Sequence, residues 1–302
     1  MQNSVKRQSS KSALVLGAGY TARAFIAHLQ ANGYDVSATR RAKPICINGV
    51  TEIPLTPTAS PELKHAFETA DVIVSSVPPF KTAFNKIAPS NISRSFADPI
   101  LAILSNFHPK TSAWIGYLSA TSVYGDLSGE WAYEDSPVNP SLRRGKARAN
   151  AEIAWIETGW PVHIFRLAGI YGKARNPFEK LRTGKARAVI KDGHIVNRIH
   201  VEDICSALLK SIAKPSPQRI YNLADGHPAP PQDVLYYAAD LINAARPKTV
   251  SVDSSEISAM ARTFYAETKR VDISRAKAEL GWLPKYPHYQ AGLRAILKHN
   301  AL

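Results

Sequence analysis

The sequence predicts an α/β protein: a doubly wound parallel sheet with a smaller C-terminal, substrate-facing subdomain. Strand and helix signals alternate through the first two-thirds of the 302 residues. Two of the strands, 71–77 and 114–119, read as buried. Between the first strand and the first helix lies Gly17-Ala18-Gly19-Tyr20-Thr21-Ala22, a GxGxxA turn of the kind that admits a dinucleotide pyrophosphate.

Residues 1–12 are polar and basic and are expected to form a frayed tail. Ala13-Leu14-Val15-Leu16 is a short apolar strand that runs into the glycine turn. In that turn Gly17 permits the tight bend, Gly19 lets the backbone approach a phosphate, and Ala22 lets the helix pack on the sheet. The helix follows because Ala22, Phe25, Ile26 and Leu29 make one apolar stripe, and Asn32-Gly33 stops it. Its N-terminus is free to receive phosphate. The next strand, 34–39, ends in Thr39-Arg40-Arg41, where an acidic residue would bind the 2′-hydroxyl of NAD. Asp35 lies at the opposite end, roughly 13 Å away for about four residues of strand. NADP is therefore expected over NAD.

A short strand over 50–55, a short helix over 61–67, and the strand 71–77 with Ser75, Ser76 and Val77 at its end come next. Helices are expected over 96–107 and 147–156, and strands over 114–119, 162–167 and 220–223. The dinucleotide domain thus covers 13–168, with 200–224 returning to the sheet. The substrate subdomain takes 169–199 and 225–302.

No apolar run approaches the about 20 residues of a membrane span, and no signal-peptide core is evident, so a cytoplasmic protein without membrane contact is expected. Cys46 and Cys205 form neither a disulfide framework nor a metal cluster. The net charge of +14 gathers at Lys173, Arg175, Lys180, Arg182, Lys185, Arg187, Lys191 and Arg198. This stretch is either a solvated basic face or a site for a small anionic substrate. Nucleic acid ranks last, because no helix-turn-helix, zinc-finger or RRM pattern accompanies the charge.

Ser119-Ala120-Thr121-Ser122-Val123-Tyr124-Gly125 follows the fifth strand, where a nicotinamide would lie. Together with Gly17 to Arg23, Phe165 to Gly172, Arg198 to Asp203, Tyr221-Asn222-Leu223 and Gly281-Trp282-Leu283-Pro284, it resembles an extended short-chain dehydrogenase/reductase. Within that superfamily the chain is similar to the NAD-dependent epimerase/dehydratase group. The ordered motifs run from about residue 13 to Leu283. The resemblance implies a Rossmann sheet, a nicotinamide dinucleotide contacted by Gly17, Gly19, Tyr20, Thr21, Arg40, Arg41, Ser75 to Val77, Ser119, Arg148 and Leu167, and a small-molecule substrate. It also admits a homodimer.

The family's serine, tyrosine and lysine do not carry over. Aligned on Val123-Tyr124-Gly125, the serine position holds Ala120; aligned on Ala151-Glu152, the tyrosine and lysine positions hold Arg144 and Arg148. A guanidinium, with a pKa above about 12, neither gives nor takes a proton near neutrality. Lys146 is a surrogate lysine by type, but two helical residues rotate it about 200° from Arg148. Arg148 remains as a ribose or phosphate contact. Tyr124 is the candidate acid or base, with Thr121 and Ser122 as hydrogen-bond partners, unless it packs under the loop. Arg175, Arg198 and His200 are candidate substrate contacts, and Trp131, Tyr133 and Glu134 either line a lid or cap the sheet. Three functions follow: an NADP-dependent oxidoreductase or epimerase with a displaced proton relay, an NADP(H) sensor without turnover, or a basic nucleic-acid-associated scaffold.

Overall fold

The computed structural model describes residues 11–41, 43–79 and 98–300. The expected tail therefore lies outside the described residues for 1–10. Lys11 and Ser12 belong to the first strand, where the Ser12 N–H donates to Asp71 Oδ2 at 2.8 Å.

β1 (Lys11–Leu16) leads into α1 (Tyr20–Ala31), whose stripe Ala22, Phe25, Ile26 and Leu29 is wholly buried. β2 (Tyr34–Arg40) and β3 (Val50–Pro54) follow. α2 (Pro61–Thr69) is started by Ser60, whose hydroxyl accepts the Leu63 N–H, and by Pro61, whose fixed φ suits the first turn. β4 (Val72–Ser75) is buried along its length. α3 (Pro99–Leu104) begins at Asp98, so the described part of the helix expected over 96–107 is shorter than its apolar run. Residues 96 and 97 lie outside the described residues. The buried Asp98 carboxylate accepts from the Ile100 N–H at 2.8 Å and from Trp155 Nε1 at 3.2 Å, so one side chain both caps a helix and anchors an indole.

β5 (Trp114–Ala120), β6 (Trp131–Ala132), α4 (Arg143–Glu157) and β7 (Val162–Leu167) come next. α4 starts ahead of the expected Ala147, because Arg143 to Lys146 carry no apolar stripe from which to read a helix. After β8 (Gly169–Tyr171), α5 (Phe178–Arg182), β9 (Arg187–Ile190), β10 (Arg198–His200) and α6 (Val201–Ala213), β11 (Ile220–Leu223) closes the sheet. The chain ends with α7 (Pro231–Leu241), β12 (Lys248–Ser251), α8 (Ala259–Arg262), β13 (Arg270–Val271), α9 (Ser274–Leu280) and α10 (Tyr289–Asn300).

The main sheet is parallel and seven-stranded, ordered β11-β7-β5-β4-β1-β2-β3. The order reverses direction beside β1, as in doubly wound sheets that bind ligands past their carboxyl ends. Small parallel pairs β8/β10, β9/β12 and β6/β13 complete the strands.

Two compact units result. One comprises Met1–Leu118, Asn150–Ile164 and Pro215–Arg219; the other comprises Ser119–Ala149, Phe165–Lys214 and Ile220–Leu302. Residues 119–149, 165–168, 200–214 and 220–224, expected with the dinucleotide domain, thus pack with the second unit. The reason is local: Tyr124 bonds Asn222, and the Thr268 N–H bonds Asp126.

Candidate functional site

In the first unit the glycine turn is held from two sides. The Gly17 N–H donates to Thr39 Oγ1 at 2.8 Å, and Ser76 Oγ donates to the Gly17 carbonyl at 2.6 Å. Gly17 has φ +85°, and a Cβ there would lie 2.7 Å from Val77 Cγ2. Both facts select glycine. At Gly19, by contrast, a Cβ would meet nothing within 4 Å. The N-cap Gly19 offers no side chain to cap the first turn of α1, and no acidic residue stands in that turn. Open backbone N–H groups beside a bare glycine form the arrangement that receives a pyrophosphate. Thr21 is buried, Tyr20 is half-buried, Ser76 and Val77 are half-buried, and Ser75 is fully buried at the end of β4.

At the end of β2, Arg41 is exposed and Arg40 is half-buried. Arg40 is already engaged, its Nε lying 2.8 Å from Glu52 Oε2. The N–H does not aim at that oxygen, so the contact is an ion pair rather than an aligned hydrogen bond.

The second unit carries the residues after β5. Ser119 is buried, and a 3₁₀ turn, Thr121–Tyr124, follows Ala120. α4 presses on this turn: a Cβ at Gly145 would stand 2.4 Å from the Ser122 carbonyl oxygen. Thr121, Ser122 and Arg148 are half-buried, whereas Arg144 and Lys146 are exposed. Arg148 and Lys146 thus differ in exposure as their helical spacing requires. The Arg144 guanidinium lies 5.7 Å from the Phe264 ring centre.

Tyr124 does not have the placement of an acid or base. It is fully buried, its hydroxyl donates to Asn222 Oδ1 at 2.7 Å, and the Arg166 guanidinium lies 4.8 Å from its ring centre. Burial pushes its pKa up to about 12, against the lowering effect of Arg166. Around it the Asn222 N–H donates to Glu134 Oε1 at 2.9 Å, Asn222 Nδ2 donates to the Ala132 carbonyl at 3.2 Å, and Arg166 Nη1 donates to the Glu134 carbonyl at 3.1 Å. Glu134 is buried; desolvation raises its pKa against the lowering effects of the Asn222 N–H and of Arg275, whose Nε lies 3.7 Å from Oε2. Tyr124 and Glu134 are therefore parts of a buried polar brace. Trp131 and Tyr133 beside them are exposed.

The candidate substrate contacts divide. Arg175 is exposed, but Arg198 donates through Nη1 to the carbonyls of Val196 and Ala229 at 2.9 and 3.1 Å. His200 is buried, caps α6 by accepting the Glu202 N–H at Nδ1, and packs on Tyr171 and Tyr286. These contacts are structural, which corrects the expectation that Arg198 and His200 are free to meet substrate. Leu167 is buried at the end of β7.

Two groups passed unnoticed in the sequence. His194 is buried with both ring nitrogens unpartnered among the described residues, and burial, reinforced by Lys191, Lys269 and Arg198, lowers its pKa to about 4. Asp225 is buried with Oδ2 unpartnered among the described residues, and burial raises its pKa to about 7. Neither sits in a recognisable motif, so only burial reveals them. Among the described residues no His, Cys, Asp and Glu group is arranged to hold a metal ion, and no helix is long and apolar enough to cross a membrane.

No family model matches the chain. Protein YeeZ from Escherichia coli (strain K12) is 34% identical over 177 residues, which cover 57% of this chain and 58% of YeeZ. The structure of dTDP-glucose 4,6-dehydratase from Bacillus anthracis str. Ames in complex with NAD is 17% identical, with a TM-score of 0.74 and 97% of each chain covered, a likeness of fold. A functionally unknown conserved protein from Silicibacter pomeroyi DSS is 37% identical, with a TM-score of 0.81, across 96% of this chain and 99% of its own. The chain belongs to the family of that Silicibacter protein, and its structural neighbours are NAD-dependent epimerase/dehydratase family members with the same Rossmann-like fold.

Proposed function

We propose that the protein is an NADP(H)-dependent oxidoreductase or epimerase acting on a small carbonyl or hydroxyl compound through a displaced proton relay. The observation that carries this reading is the glycine turn, braced by Thr39 and Ser76, with Arg40 and Arg41 in place of the acidic residue that would favour NAD. When bound, the nicotinamide supplies hydride exchange. The chain's own part is to bind and orient. Half-buried Thr121 and Ser122 offer hydroxyls beside the start of α4, and Arg148 offers a fixed positive charge to a ribose, a phosphate or an anionic substrate. Exposed Arg175 is the remaining basic candidate for that substrate.

The expected result is NADPH oxidation with a member of a broad carbonyl panel. Thr121→Val combined with Ser122→Ala should cut that turnover at least about tenfold, the scale of a lost orienting hydrogen bond, with NADP+ affinity retained. Unchanged turnover removes both hydroxyls from the reaction.

A second reading, an NADP(H) sensor without turnover, is favoured by Ala120, Arg144 and Arg148 at the family's catalytic positions and by the burial of Tyr124. A single turned-over substrate ends it.

A further inference from the structure

Glu52 is an unusual neighbour for a residue meant to read a phosphate. Its Oε2 lies 2.8 Å from Arg40 Nε, while its Oε1 accepts the backbone N–H groups of Ile45 and Cys46, each at 2.9 Å. The segment that supplies those donors is tied down in turn, because Arg23 Nη1 donates to the Ile45 carbonyl at 2.7 Å. The parallel register that pairs Ala38 with Glu52 and Arg40 with Pro54 puts this carboxylate beside the end of β2. The two backbone donors, ahead of the Arg40 charge, hold its pKa below the usual carboxylate range.

A free surface glutamate would swing away from an arriving phosphate. Glu52 is anchored at Oε1 by two backbone N–H groups and paired at Oε2 with Arg40, so its charge is held beside Arg40. The Arg40–Glu52 pair is then nearly neutral, leaving the exposed Arg41 as a cation of this corner that has no ion-pair partner among the described residues. A 2′-phosphate, carrying about −1.5 to −2 charges by analogy with other phosphomonoesters, feels that compensation strongly. A 2′-hydroxyl feels it little.

From this geometry we propose that Glu52 is a specificity-determining residue for the nucleotide: anchored behind Arg40, it lowers affinity for the 2′-phosphate and lets NAD(H) compete with NADP(H). The inference rests on the reading of Gly17 to Arg41 as a dinucleotide site.

The test is calorimetric titration of the full chain with NADP+ and with NAD+, for the wild type, Glu52→Gln, Glu52→Ala and Arg40→Gln. Glu52→Gln should bind NADP+ about fivefold more tightly, about 1 kcal/mol, with NAD+ affinity held within about twofold. Glu52→Ala should move the same way, so the inference survives a Gln variant that fails to fold. NADP+ affinity that is unchanged or weaker in whichever variants fold overturns it, provided Arg40→Gln weakens NADP+ selectively. If Arg40→Gln leaves NADP+ binding untouched, or the wild type binds neither nucleotide, the underlying dinucleotide reading fails and carries the inference with it.

Discussion

Tyr124 shows how one side chain changes meaning between motif and structure. In the motif Ser119–Gly125 it is the one tyrosine; in the structure its hydroxyl is spent on Asn222, in a site without exposure. Tyr124→Phe leaves the Asn222 oxygen buried and unpaired, and is expected to cost about 1–2 kcal/mol of stability. Turnover should stay within about threefold of the wild type, since a phenol with its pKa near 12 in a closed site exchanges few protons at neutral pH. Chemical denaturation together with NADPH oxidation checks both halves. A large loss of turnover at unchanged stability would return Tyr124 to the chemistry. The sequence could not separate these roles, because the deciding partner lies 98 positions away. Gly17 was legible for the opposite reason: its positive φ and its crowding by Val77 are demands that a glycine answers alone.

At the scale of elements, α4 and the turn Thr121–Tyr124 form the contact that shapes the candidate site. Alanine usually stabilises a helix relative to glycine by about 1 kcal/mol. At Gly145 that expectation reverses, since the added Cβ would stand 2.4 Å from the Ser122 carbonyl oxygen and 2.6 Å from Pro140 Cβ. Gly145→Ala should therefore lower stability by about 1–3 kcal/mol, as overpacking does, and displace Thr121 and Ser122 enough to weaken turnover. A thermal melt that rises instead would show that the helix start yields freely. The core elements could be read from pattern: the α1 stripe and the apolar run of β4 are buried as their spacing implies. The start of α4 could not, because Arg143 to Lys146 are held by tertiary contact rather than by an apolar stripe. The Arg40–Glu52 pair was hidden likewise, since it depends on the register between β2 and β3, which neither strand states alone.

For the molecule as a whole, pH should expose the cost of its buried ionisable groups. Burial holds His163 neutral, with its pKa lowered to about 4; Nδ1 contacts the Ile115 carbonyl at 3.2 Å, and Nε2 accepts the Ser216 N–H at 2.8 Å. His194 is lowered to a similar value, so both favour unfolding as pH falls from the unfolded value of about 6.5. Asp203 and Asp225 act in the opposite sense. Burial raises their pKa values to about 6 and about 7, so the native state binds the extra protons and stability is lost as pH rises from about 4 through those values. The opposing slopes flatten the wild-type curve, and a difference between variants isolates one group. Asp225→Asn removes a carboxylate whose Oδ2 has no partner among the described residues, despite the nearby Arg198 charge. Its stability relative to the wild type should climb between pH 4 and about 7 and level off above, a rise on the order of 2–4 kcal/mol. Urea denaturation of both proteins across that range measures the gap directly. A gap that stays constant with pH would mean that Asp225 titrates as an ordinary exposed carboxylate, and that the polar cluster around Arg198 is open to water.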